Sequence, residues 1–151
     1  MSNLRALHRR NSDIVGQYDL GSGLVTTTGV RLLSQDTAVT AGTATMAAIK
    51  NHGVGTGTTA AAVTDTALQT AIGTTATVGS NTNALASPNA TVTSVATVAF
   101  AGTFAVTEWG LFNQSTLAGA TMWDHKVFAA LNVVSGDSIM FTYTLQLTAG
   151  G

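Results

Sequence analysis

The chain contains no cysteine, which excludes a disulfide framework, a thiolate metal site and any cysteine nucleophile. It is also poor in charge: only 9% of its 151 residues are Asp, Glu, Lys or Arg, with a formal net charge of −1. Soluble domains usually carry about a quarter charged residues, so a free monomer of this composition is expected to associate. Proline occurs once, at Pro88, and aromatic residues make up 6%. No run behind Met1-Ser2-Asn3-Leu4 is apolar enough for a secretory signal or a membrane span, so a soluble protein with no membrane partner is expected. What remains is 45% hydrophobic, with 16 glycines and many Thr and Ala residues. Thr suits the pleated, half-buried surface of strands. At this length one domain can bury about two thirds of its unfolded surface.

Most of the aromatic residues lie in the last third, in period-two runs separated by Gly, Asn and Ser. Ile139, Phe141, Tyr143, Leu145 and Leu147 alternate with Ser138, Met140, Thr142, Thr144 and Gln146, which predicts a strand with one buried face. Val92, Ala96, Val98 and Phe100 make a second such face. In Phe104 to Phe112 both faces carry bulk, Phe104, Val106, Glu108 and Phe112 on one and Trp109 and Leu111 on the other, so this strand is expected to be central and covered twice. The pattern predicts an all-β antiparallel sandwich or jelly-roll-like barrel with at most one short helix, placed at residues 60–71 and capped by Thr64 or Asp65. Residues 29–45 alternate weakly and read as one or two strands, residues 45–52 as another, Gly53 to Thr59 as a loop, and residues 73–90 as an exposed loop. No fixed-period repeat is visible.

Four of the six cations, Arg5, Arg9, Arg10 and Arg31, fall in the first 31 residues. Residues 1–40 are read as an extended N-terminal arm and edge strand, with Leu24 to Thr28 as its best β segment, and residues 41–151 as the sandwich domain. Leu4, Leu7, Arg5, Arg9 and Arg10 are the candidate partner-binding residues, laid over an acidic protein surface; the plain alternative is a frayed terminus. Nucleic acid is not an expected partner, because three arginines neutralise few phosphates and no aromatic residues are interleaved for stacking.

Catalytic motifs are not found. Gly53-Val54-Gly55-Thr56-Gly57 lacks both the G-x-G-x-x-G spacing and the Lys-Ser/Thr ending of phosphate loops, and no serine sits in a G-x-S-x-G elbow. Asp124 and His125 are neighbours in a predicted strand and so point to opposite faces, which argues against a shared metal ion. Glu108, an acid embedded in an apolar strand, is expected to pair with Lys126 or to accept backbone hydrogen bonds. Trp109 and Trp123 are expected in the core, with a sugar-binding platform as the sharper alternative. No enzyme, cofactor or metal is predicted.

The segments Thr107-Glu108-Trp109-Gly110-Leu111-Phe112 and Ser135-Gly136-Asp137-Ser138-Ile139-Met140-Phe141-Thr142-Tyr143-Thr144-Leu145, with His52-Gly53-Val54-Gly55-Thr56-Gly57-Thr58-Thr59 upstream, resemble a small β-domain family of tailed-bacteriophage structural proteins. The resemblance spans about residues 45–151 and carries no functional residues with it. It implies a virion component: a capsid decoration or cement protein, homo-oligomeric as dimer or trimer, made in the host cytoplasm and bound to the major capsid protein on the shell surface. A tail-fibre or baseplate subunit is the alternative use of the family, and a carbohydrate-binding module is a third and unrelated reading.

Overall fold

The computed structural model describes residues 1–38 and 46–148. The chain forms a sandwich of two five-stranded antiparallel sheets, as the alternation predicts. Its strands are β1 (Ser2–Arg10), β2 (Asp13–Gly21), β3 (Leu24–Val25), β4 (Asn51–Gly55), β5 (Thr77–Val78), β6 (Ser80–Ala86), β7 (Asn89–Ala99), β8 (Phe104–Phe112), β9 (Met122–Val133) and β10 (Asp137–Thr148). The first sheet has the order β2-β1-β10-β7-β6 and the second β3-β9-β8-β4-β5. Leu4 and Ala6 of β1, Val98 of β7 and Ile139, Phe141 and Tyr143 of β10 face Val54, Val106, Trp109, Leu111, Trp123, Leu131 and Val133 across the interior.

The expected arm is part of this sandwich. β1 pairs along its whole length with β10, from Ser2 opposite Leu145 to Arg10 opposite Asp137, and β2 folds back on β1 through Asn11 and Ser12, both at positive φ. Leu4, Ala6 and His8 point inward, so β1 alternates just as β10 does and supplies side chains to the core.

The one α-helix among the described residues, α1 (Thr27–Ala38), falls where strands are expected; residues 39–45 of that stretch lie outside the described residues. Thr26 decides this locally. Its Oγ1 accepts from the Gly29 N–H (3.0 Å) and donates to the Met122 carbonyl (2.6 Å), an N-cap that outweighs the β preference of a Thr run. A Cβ at Gly29 would overlap the Trp123 backbone, which explains a glycine in the first helical turn. Residues 60–71 are irregular instead: Asp65 does not cap a helix there but closes a turn, its carboxylate accepting from the Ala62 N–H (2.8 Å).

Glycines 53 and 55 belong to β4, not to a loop, and residues 77–86 are β5 and β6 rather than an exposed loop. Gly53, Gly55 and Gly57 recur at every second position, all toward the outer face of the second sheet. Their missing side chains leave room for Phe112 and Leu68, for Glu108 and the Thr70 carbonyl, and for Gln69, respectively. That outer face is roofed by residues 56–76 and 113–121, where Leu68, Ala76, Leu117 and Ala120 pack on Phe112 and Met122. β8 is thus covered on both faces, as expected, but register shifts between Val106 and Glu108 move the phase. Val106, Trp109 and Leu111 consequently share the inner face while Glu108 and Phe112 face the roof.

Because Leu4 is fully buried among large side chains, Leu4→Ala is expected to destabilise the protein by about 2–5 kcal/mol, read from urea denaturation. A frayed arm would give no measurable change.

Candidate functional site

The buried titratable groups fall into four clusters, and the most elaborate centres on Glu108. Its Oε1 accepts from the N–H groups of Gly57 (2.9 Å) and Thr70 (2.8 Å), and its Oε2 accepts from the Gln69 N–H (2.9 Å) and from His125 Nε2 (3.2 Å). The other imidazole nitrogen, Nδ1, lies 2.7 Å from Asp65 Oδ2. Burial works against the Asp65 carboxylate, but the Ala62 N–H and His125 hold its pKa below the ordinary value. Both oxygens of Glu108 are thereby occupied, and both nitrogens of His125 are engaged by carboxylates. A general acid or base needs a free atom aimed at its substrate. This arrangement instead fastens the roof segments 56–59 and 65–70 to β8 and β9. Of the two partners expected for Glu108, the backbone supplies three donors, while Lys126 Nζ reaches the Ser22 carbonyl (2.7 Å).

A second cluster lies on the other face of β9, as the alternation at Asp124-His125 requires. Tyr143 Oη donates to Asp124 Oδ2 (3.1 Å) and accepts from Trp123 Nε1 (2.9 Å). A register shift places Leu111 opposite Asp124 and Phe112 opposite Met122, leaving Trp123 as the extra residue and turning it inward beside Asp124. Burial raises the Asp124 pKa to about 6, and burial next to Asp124 pushes the Tyr143 phenol above its usual value. In the third cluster Trp109 Nε1 donates to His52 Nδ1 (3.1 Å), so His52 carries its proton on Nε2 and donates to Ser94 Oγ (3.0 Å). Burial lowers the His52 pKa to about 3. Trp109 also stacks on Tyr143, with ring centroids 5.5 Å apart. Trp109 and Trp123 are 0% and 3% exposed, so the sugar-platform reading is overturned: neither ring has a face to offer.

Asp137 organises the fourth cluster. Its carboxylate accepts from Arg10 Nε (2.8 Å) and Nη2 (2.9 Å), from His8 Nε2 (2.9 Å) and from the Val134 N–H (3.1 Å). The bidentate Arg10 contact, opposed by burial and aided by Val134 and His8, holds its pKa well below the carboxylate range. The candidate partner-binding residues are therefore not equivalent. Leu4 is core and Arg10 is committed to Asp137, whereas Arg5, Arg9 and Leu7 lie on the outer face of β1. Arg5 sits 3.8 Å from Asp19 with both side chains largely exposed, and Arg9 donates to the Ser12 carbonyl (3.4 Å).

Sequence reasoning singled out Glu108 but missed His8, His52, Asp65 and Asp137. The signal available for three of them was a polar residue at an inward position of an alternating strand, in phase with Leu4 and Ala6, with Val54, or with Ile139. Among the described residues no group of three or more His, Asp or Glu side chains is placed to hold a metal ion, and no helix is long and apolar enough to cross a membrane. Comparison with protein-family models, curated proteins and solved structures found no match.

Glu108→Ala strips one partner from His125 and from three N–H groups. It is expected to destabilise the protein by about 3 kcal/mol or more, with the roof at residues 56–70 becoming the preferred site of limited proteolysis. For pH, the sign follows from His52 having a lower pKa folded than unfolded. Below about 6.5 the unfolded chain binds the proton first, so this residue's contribution falls with decreasing pH by up to about 1.4 kcal/mol per unit until about 3. Asp124 works in the opposite direction, favouring the fold below about 4 and losing that contribution as pH rises to about 6. The stability of the native protein relative to His52→Gln, from denaturation midpoints at pH 7 and pH 4.5, should therefore drop at the lower pH, because the shared Asp124 effect cancels in the difference.

Proposed function

We propose that this protein is a non-enzymatic structural subunit of a tailed-bacteriophage particle, a decoration or cement protein bound to the major capsid protein on the shell surface. One observation carries the reading: Glu108, His125, His52 and Asp137 are turned inward and hydrogen-bonded within the fold, while the chain as a whole is poor in charge, at 9% of its residues. Glu108, His125, His52 and Asp137 all spend their hydrogen-bonding capacity on holding strands and roof together. The outer face of the first sheet is paved by Thr142, Thr144, Thr91, Thr93 and Thr97, with Arg5, Arg9 and Asp19 as its charged members. A surface of that kind favours adhesion through many small contacts over recognition of one small molecule, and repeated weak contacts on a lattice multiply into avidity. The resemblance of residues 45–151 to phage structural β domains supplies the setting. Arg5, Arg9 and Leu7, on the accessible side of β1, are the part of the N-terminal segment that meets the shell in this reading.

The decisive measurement is the stoichiometry of purified particles by quantitative mass spectrometry, combined with immunogold labelling. A copy number of the same order as that of the major capsid protein, with label over the shell, is expected. A few copies at one vertex would transfer the reading to the tail or baseplate, and absence from particles would sink it.

A further inference from the structure

Each sheet has two edges, and the four are not equally protected. β3 is two residues long and is followed at once by α1, whose cap hydrogen bonds to the Met122 and Trp123 carbonyls of the neighbouring strand. β5 is also two residues long. β2 carries Asp13 and Asp19 and meets β1 through two register shifts. Short length, charge and bulges are the usual devices that keep an edge from pairing with another chain. β6 has none of them. It runs seven residues, Ser80–Ala86, pairs with β7 without a register shift, and has no further strand beside it among the described residues.

Its sequence is equally unguarded. Between Asp65 and Glu108 the chain has no Asp, Glu, Lys or Arg at all, a gap that takes in β5, β6 and β7. The same edge exposes two large apolar side chains, Val78 (58%) and Leu85 (87%). Gly79 makes β5 and β6 one continuous border: its N–H donates to the Lys50 carbonyl (2.7 Å), and a Cβ there would overlap the Val95 and Lys50 carbonyls, so the chain bends at this point from one sheet to the other.

We propose that β6 is a dimerisation edge, pairing antiparallel with β6 of a second copy about a twofold axis at Asn83 to join two sheets into one of ten strands. The choice of a second copy rests on self-complementarity. A twofold through Asn83 sets Ser80 opposite Ala86 of the partner subunit, Asn81 opposite Leu85 of the partner subunit and Thr82 opposite Ala84 of the partner subunit. No like charges meet anywhere along the ladder. Leu85 shares its strand face with Asn81, which turns toward the sandwich and donates to the Ile49 carbonyl (3.1 Å). In the pair, Leu85 is carried beyond the end of its own sandwich and over that of the second copy, which removes the most exposed apolar side chain of the described strands from water. The inference concerns the isolated chain and does not rest on the phage reading: a dimeric protein absent from particles would sink that reading alone.

The test is light scattering on size-exclusion fractions of the full chain, with tryptophan emission as the check on folding, since Trp109 and Trp123 are both buried. The native protein is expected at twice its 15.3 kDa mass. T82K/A84K places cations opposite one another across the axis and is expected to give monomers. T82K/A84E places opposite charges in the same register and is expected to restore the dimer. V15K, on the exposed edge β2, should leave the dimer intact. A monomeric native protein at the highest soluble concentration overturns the proposal. So does a T82K/A84K variant that stays dimeric, a folded T82K/A84E variant that fails to dimerise, or dissociation by V15K.

Discussion

A charged or polar group taken out of water must be met by donors or acceptors, and in this protein that requirement binds together parts of the chain that hydrophobic packing alone would leave loose. Asp137 accepts from Val134 within the β9–β10 turn and joins that turn to β1 through Arg10 and His8. Glu108 joins two separate roof segments to the second sheet. Asp124, Tyr143 and Trp123 tie one sheet to the other across the core. In a chain with so few charges, Glu108, Asp124 and Asp137 are all fully or almost fully buried, and each sits at a junction between elements distant in sequence. Polar pairing of this kind contributes less to net stability than apolar burial, but it penalises alternative registers strongly, because a one-residue slip would strand a carboxylate in the interior.

The sandwich was legible in the sequence where side chains of one kind alternate without interruption, as in β7 and β10. It was illegible where the period was broken or disguised. In β8 and β9 bulges advance the phase, so strict alternation assigns Val106 and Trp109 to opposite faces when both are core. In β1 the inward position His8 looks polar until Asp137 is known to meet it, and the outward arginines then make a central strand resemble a solvated arm. In β4 glycine at every second position reads as a breaker, although it marks a strand whose outer face has no room for side chains. At Thr26 a single cap settles the choice between helix and strand, against the β preference of the Thr run around it.

The same facts separate scaffold from surface. Trp109, Trp123, Phe141 and Tyr143 define the interior and Glu108, Asp124 and Asp137 fix it, and none of these offers a face to a ligand. The open surface is left to the borders of the sheets and the outer face of the first, where Thr, Ala, Ser and Asn outnumber the charged residues.

The pairing of β1 with β10 also governs the order in which the fold can be completed. β1 takes its place beside β10, which follows much later in the sequence, so Leu4 and Ala6 have no finished core to enter until β10 has been made. Closing so long a loop is slow, as it is for sandwiches dominated by non-local pairings. During that interval the β1–β2 hairpin holds one half of its hydrogen-bonding capacity open. The cations at Arg5, Arg9 and Arg10, whatever they meet in the finished protein, keep that waiting strand soluble.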